Sequence, residues 1–412
     1  MGKKREMDAA QHNLRVPDHV PADLVVDIDI YNLPNATGDP QCAWRDLKAN
    51  RPLSYTPRNG GHWIATSADT VFQMFRDVKH FSSESVGIPR IAKDKKLTLV
   101  PIEADPPDHA IYRKNIMPLF TSDAVDRLGD SARALCVELI EDFRASGQCE
   151  FIQDFAFKFP LGIFLAMMGL PVQDRMYLRD LSERFAGSPD MEVKLACDAE
   201  LQAYIDRQLD DRVANPRDDA TTMVLNMKFG DRPYTRAEMR GTIMLLLHAG
   251  LDTVAGMVAF TIHHLAQRPD HVAYIRENLN NDTKMHEIVQ ELLRRFAIVD
   301  EGRLVAEDYV YQGIQMKAGD MVILPTPLYN MDPDRISHPD DVDFGRDSFK
   351  HISFGSGPHT CAGALLARKE IKVFLEEWVT RIPAFRLHPD HTPQMQALPL
   401  NQVRELWLEW DV

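Results

Sequence analysis

Cys361 lies in Phe354-Gly355-Ser356-Gly357-Pro358-His359-Thr360-Cys361-Ala362-Gly363, a glycine-rich loop that runs into a helix start. Backbone N–H groups and the positive end of that helix would stabilise a thiolate there. Gly357 permits a sharp loop, and Gly363 leaves room for a flat group to approach the helix. Such a thiolate could serve as a nucleophile, but no ordered Cys/His/Asn arrangement accompanies it. It could instead bind a metal, and a single thiolate suits haem iron. The plain alternative is a glycine-rich turn with an incidental buried cysteine.

Two further segments carry reactive or paired side chains. Ala249-Gly250-Leu251-Asp252-Thr253 puts an acid and a hydroxyl inside the apolar stretch 241–262. An acid in that setting is expensive and needs a partner or a function. Glu291-Leu292-Leu293-Arg294 sets opposite charges at i and i+3, on one helix face.

The elements that must position these groups are mostly helical. Apolar residues recur at helical spacing over 128–144 and 158–170. Thr235-Arg236-Ala237-Glu238 is a capping box that opens a helix able to run to about Gln267. A shorter helix is expected over 285–296. The last helix is expected to run from Cys361 to Thr380, with Ile371, Phe374, Leu375 and Trp378 on its buried face. Residues 300–327 read as strands, with Gly302, Gly313 and Gly319 as turns. Residues 1–40 are polar and proline-rich and read as an irregular arm, leaving 41–412 as one large, mainly α domain with a minor β part.

Composition limits the partners. The 412 residues carry a formal charge of −14, which disfavours nucleic acid or an anionic membrane as a bulk partner. The five cysteines have long spacings and no C-x-x-C, so neither a disulfide scaffold nor a zinc ribbon is indicated. The basic start is followed by polar residues and not by an apolar core, so a cytoplasmic protein is expected. Residues 241–262 have the length of a membrane span. The central acid and the lack of a second span favour a buried core helix.

Together the three segments carry a resemblance. Phe354, Gly357, Cys361 and Gly363 meet F-x-x-G-x-x-x-C-x-G in full, Glu291 and Arg294 match E-x-x-R, and 249–253 match [AG]-G-x-[DE]-T. In this order and spacing they resemble the cytochrome P450 family. Further stretches (60–66, 81–84, 250–254, 291–296 and 377–383) look like its bacterial camphor-hydroxylating subfamily. The resemblance implies a triangular prism of about a dozen helices. Haem b would lie between the long central helix and the Cys-loop helix.

It also implies roles, position by position. Cys361 would be the axial thiolate and the metal ligand. His109, Arg113, Arg303 and His359 match positions that hold the haem propionates, with Phe354, Gly363, Ala249 and Gly250 also against the cofactor. Asp252 and Thr253 match the pair that delivers protons to bound dioxygen. Glu291 and Arg294 would lock the core. Gly87, Leu97, Leu245, His248, Val299, Pro399 and Leu400 match the substrate pocket.

Departures sharpen the expectation. Leu97 stands where the camphor hydroxylase has a ketone-binding tyrosine, Gly87 replaces an aromatic, and His248 replaces a small apolar residue. The substrate expected is therefore a compact apolar terpenoid or norisoprenoid, not camphor itself. Asp341 stands where relatives place the Arg or His that completes a triad with Glu291 and Arg294, so Arg346, a neighbour or backbone must substitute. The chain has no flavin, nicotinamide or iron–sulfur fingerprint. The resemblance then implies a [2Fe–2S] ferredoxin and an FAD-dependent ferredoxin reductase acting on a monomer. Arg76, Lys79, Arg113, Lys114, Arg346 and Lys350 are candidates for a basic docking face. The rival readings are a peroxygenase using hydrogen peroxide and a non-catalytic thiolate-haem sensor.

Overall fold

Thr235 starts the longest helix as its sequence predicts. Its hydroxyl accepts from the Glu238 N–H (3.2 Å), and the Glu238 carboxylate accepts from the Thr235 N–H (2.6 Å). The helix then runs Arg236–Leu265 without a break. In this computed structural model the chain is described over 15–34, 36, 38–91, 93, 96–187, 191–347 and 350–412. Among the described residues this is the one helix long and apolar enough to cross a bilayer, and 67% of its apolar window is buried inside the protein. It is the axis of the core.

Close approach to that axis is set by a glycine. A Cβ at Gly241 would lie 2.2 Å from the Thr98 carbonyl oxygen, so the backbone of 98–99 passes directly against the helix. Gly241→Ala should therefore force the two apart and lower stability by about 1–3 kcal/mol. A thermal melt of the variant reads this directly.

Against the axis pack the helices Lys158–Met168 and Ala364–Arg381, with Ser122–Arg144 packed in turn on both of these. The last starts at Ala364, three residues later than expected, so Cys361 stays in the loop. Its predicted inner face is buried: Ile371, Phe374, Leu375 and Trp378 pack into one cluster with Phe151, Phe155 and Val258. Phe155, Phe374 and Trp378 lie with ring centres 5.3–5.9 Å apart, within the range for favourable aromatic pairs. A second cluster joins Leu251 of the central helix to Leu366 of the Cys-loop helix. The two helices named by the sequence thus flank one interior space.

The β part is small. Its largest sheet has the order Leu53–Thr56, His62–Ala65, Met321–Leu324, Glu301–Val305, Phe81–Ser82. Only the pairing of 321–324 with 62–65 is parallel. Gly313 and Gly319 are turns with positive φ, as expected. Gly302 is not. It lies inside the strand Glu301–Val305, where a Cβ would meet the Val86 carbonyl oxygen at 2.9 Å. It is there for close backbone approach, and its N–H donates to that carbonyl at 2.8 Å.

Residues 1–14 of the expected arm lie outside the described residues. The described residues of 15–39 are largely irregular, with a short 3-10 turn at Ala22–Leu24. Among them Val20, Leu24, Ile30 and Leu33 are nonetheless buried against the sheet and its neighbours.

Candidate active site

The cysteine loop is shaped by its glycines. Gly355 and Gly357 have φ of 71° and 79°, the left-handed region that favours glycine. A Cβ at Gly357 would sit 2.9 Å from the Phe75 carbonyl oxygen, so the loop is pressed onto the helix Ala68–Arg76. Two backbone bonds close it: Gly355 N–H to Ile352 O and Cys361 N–H to Phe354 O, both 2.8 Å. Cys361 is open to solvent yet ringed by protein, as a side chain lining an interior cleft is. Burial raises its thiol pKa. The Gly363 N–H and the charges of Arg113 and Arg368 work the other way, toward the thiolate.

Beside it converge four basic side chains from distant parts of the chain. His109 and Arg113 come from the helix Asp108–Ile116, Arg303 from its strand and His359 from the loop. The His109 and His359 rings lie 4.1 Å apart. Burial, then His109, Arg303 and Arg113, push His359 down to about 3. Burial and Arg113 lower His109. Arg303, only 2% exposed, has one carboxylate partner, Glu301, at 2.9 Å. The His359 Nε2 is buried with no hydrogen-bond partner among the described residues. Arg113 and Arg303 bring two positive charges against the Glu301 carboxylate, the neutral His109 and His359 bring ring N–H donors, and the excess charge needs compensation. A flat group with two carboxylates, such as haem b, supplies it and fits this donor set.

The central helix carries an open patch near its middle. Along 241–262 nearly every residue is buried, but Ala249 is exposed and His248, Gly250, Asp252 and Thr253 are partly so. A Cβ at Gly250 would meet no protein atom within 4 Å. The Thr253 hydroxyl donates to the Ala249 carbonyl at 2.6 Å. Burial pushes the Asp252 carboxyl up to about 6, with Arg404 opposing, and lowers His248, which also feels Asp198.

That shift fixes a stability test. The unfolded carboxyl titrates near 3.8 and the folded one near 6, so the folded chain holds the extra proton between them. The cost of ionising Asp252 is absent below the lower value and complete above the upper one. Asp252→Asn should thus gain stability relative to the parent as pH rises from 4 to 6, reaching on the order of 2 kcal/mol. Thermal melts of both proteins at matched pH values check it.

The Glu291–Arg294 pair forms two bonds of 2.8 Å on the helix Asp282–Arg295. The missing third member is resolved in two ways at once. Arg346 Nε donates to Glu291 at 3.1 Å, and Arg294 donates to the carbonyls of Asn330, Pro339 and Asp341. Asp341 contributes its backbone, not its carboxylate.

This removes Arg346 from the expected docking cations, since its other N–H groups cap Ser337, His338 and Asp341 carbonyls. Arg113 faces Cys361. Arg76 lies over the Phe72 ring at 5.3 Å and Lys79 pairs with Glu307 at 3.4 Å. Lys114 and Lys350 are exposed.

The predicted pocket residues come from separate elements. An isolated bridge joins Val299 to Leu400, and Asp300 N–H binds the Pro399 carbonyl at 2.7 Å. Leu245 is buried one turn beyond Gly241, and Leu97 packs into the same cluster as the first half of that helix. Gly87 is exposed, next to the Val86 that meets Gly302.

One residue escaped the sequence reading. Arg368 sits one turn inside the Cys-loop helix with its guanidinium 4.5 Å above the Phe354 ring, and its Nε is buried without a hydrogen-bond partner among the described residues. Its position four residues beyond Ala364, on the face where the loop enters, was the available signal.

Comparisons with known proteins agree. The profile of the family described as cytochrome P450 matches residues 199–403. A curated relative, "Probable cytochrome P450 127A1" of Sinorhizobium fredii, is 32% identical over 96% of this chain and 97% of its own length. The crystal structure of CYP101J2 superposes with a TM-score of 0.87 at 35% identity, covering 97% of this chain and 100% of that one. That of cytochrome P450 CYP101C1 gives 0.88 at 34% identity, with the same coverage.

Proposed function

The chain belongs to the cytochrome P450 family of haem-thiolate monooxygenases, and from that premise we propose that it hydroxylates a compact apolar terpenoid or norisoprenoid. Electrons would come from a [2Fe–2S] ferredoxin and its FAD-dependent reductase. The carrying observation is the glycine-shaped Cys361 loop beside Arg113, Arg303 and a buried His359 nitrogen that has no hydrogen-bond partner among the described residues. Residues 41–412 act as one haem-binding unit in this reading.

Cys361 Sγ would hold the iron, while Arg113, Arg303, His109 and His359 would hold the propionates. The bound haem supplies activation of dioxygen and insertion of one oxygen atom into a C–H bond. The chain supplies the rest. Asp252, whose carboxyl sits near 6, can hold and release a proton close to neutral pH. The Thr253 hydroxyl, oriented by its bond to Ala249, passes that proton into the cleft. Leu97, Leu245, Val299, Pro399 and Leu400 exclude water and orient an apolar ring, and His248 adds the one polar group at that wall.

Retention of Asp252 and Thr253 favours a dioxygen-reducing enzyme over a peroxygenase, because the relay matters most when dioxygen is reduced. Turnover with a ferredoxin and reductase, against turnover with peroxide alone, separates the two. The reduced carbon-monoxide difference spectrum tests the thiolate, and a histidine-type band would sink the whole reading. A panel with β-ionone as the norisoprenoid and camphor as the ketone control is read by the water-displacing haem shift. The larger shift is expected with β-ionone.

Thr253→Ala should keep electron consumption while diverting most of it to hydrogen peroxide. Product formed per electron pair is expected to fall several-fold, and unchanged coupling would contradict the relay.

A further inference from the structure

Against Asp252 lies a small chamber of about 20 Å3, with mainly apolar walls interrupted by three polar side chains. That is room for a single water molecule. Asp252 and Gly256 of the central helix, Ala156, Gln402 and Arg404 line it. Its walls have a structural origin. Ile152–Ala156 form a π-turn, with Phe157 N–H reaching back to Ile152 O at 3.3 Å, and Ala156 and Gly256 are small enough to leave the gap. The Gln402 Oε1 is buried with no hydrogen-bond partner among the described residues, a polar atom that calls for a donor. Arg404 is half-buried, and its Nε donates at 3.1 Å to the exposed Gln396, so it reaches from the surface to the chamber.

We propose that Gln402 and Arg404 are positioning residues that hold one water against Asp252, making this chamber the path by which solvent protons reach the relay. The proposal rests on the proton-delivery role given to Asp252 above. When the carboxyl has released its proton toward Thr253, the chamber water takes up a proton arriving from bulk solvent past Arg404 as it passes one on to the carboxylate, so no hydroxide forms and no net charge is left behind. The Gln402 oxygen accepts from the water and orients it. The Arg404 charge stabilises the transient carboxylate.

The test uses the haem-loaded enzyme with a ferredoxin, a reductase and the panel compound that gives the largest spin shift. Gln402→Leu should lower turnover about fivefold and raise the solvent deuterium isotope effect, with the spin-shift affinity unchanged. In the Asp252→Asn background the same change should add nothing, because the path ends at Asp252. A high-resolution crystal structure should show an ordered water within hydrogen-bond distance of Asp252 and Gln402 Oε1. Arg404→Lys should retain more turnover than Arg404→Gln. If Asp252→Asn leaves turnover and isotope effect unchanged, the relay reading fails and the path with it. If Asp252→Asn is impaired but Gln402→Leu is silent, or is equally damaging without the Asp252 carboxylate, the chamber alone is overturned. A dry chamber overturns it as well.

Discussion

Cys361→His is expected to abolish hydroxylation while leaving a haem-containing, folded protein. Haem would still be gripped by the charges of Arg113 and Arg303 and by the rings of His109 and His359, which lie 4.1 Å apart. The iron would exchange an anionic, strongly donating sulfur for a neutral imidazole, and thiolate donation is what favours O–O cleavage. Product should therefore fall below detection, and the carbon-monoxide difference band should move to the histidine type. Full activity would refute the ligand assignment. The contrast is Cys42→Ser. Burial, followed by the neighbouring Asp39, pushes the Cys42 thiol up to about 12, and its sulfur lies 3.8 Å from Arg295. That variant should keep both band and turnover.

What was legible in the sequence was mainly local. A capping box, a glycine-rich loop and an i, i+3 ion pair are each fixed by a few neighbouring residues, and each forms where its pattern lies. Groups joined only by the tertiary path were not legible in that way. His109 and His359 are 250 positions apart, and only the family resemblance suggested that they share a site. Gly302 was misread because a strand glycine that admits a neighbouring carbonyl looks the same in sequence as a turn glycine. Arg346 was left open between core and surface, since the course of 337–346 decides whether its guanidinium meets Glu291 or water. Gln402 and Arg404 carried no signal at all: their chamber exists only once the π-turn, the central helix and the C-terminal hairpin meet.

The same path-dependence explains why Arg294→Ala should be the most damaging change away from the cleft. Arg294 is 1% exposed and its N–H groups bond Glu291 and three backbone carbonyls. Removing it leaves a 7%-exposed Glu291 carboxylate and those carbonyls short of a donor. Breaking a buried pair from one side costs about 3–5 kcal/mol, a large share of a typical domain's stability. Those carbonyls belong to the segment leading to the Cys361 loop, so haem retention should fall together with the melting temperature. Arg346→Ala should be milder, because Glu291 keeps Arg294 and the Asp343 N–H at 2.9 Å. The double variant Glu291→Gln with Arg346→Ala then separates two accounts of Arg346. If Arg346 stands in for the missing triad member, the combined loss is smaller than the sum of the single losses, since the shared bond is counted once. Strict additivity would mean that Arg346 acts only on the carbonyls of 337–341, and the triad would then be completed by backbone alone.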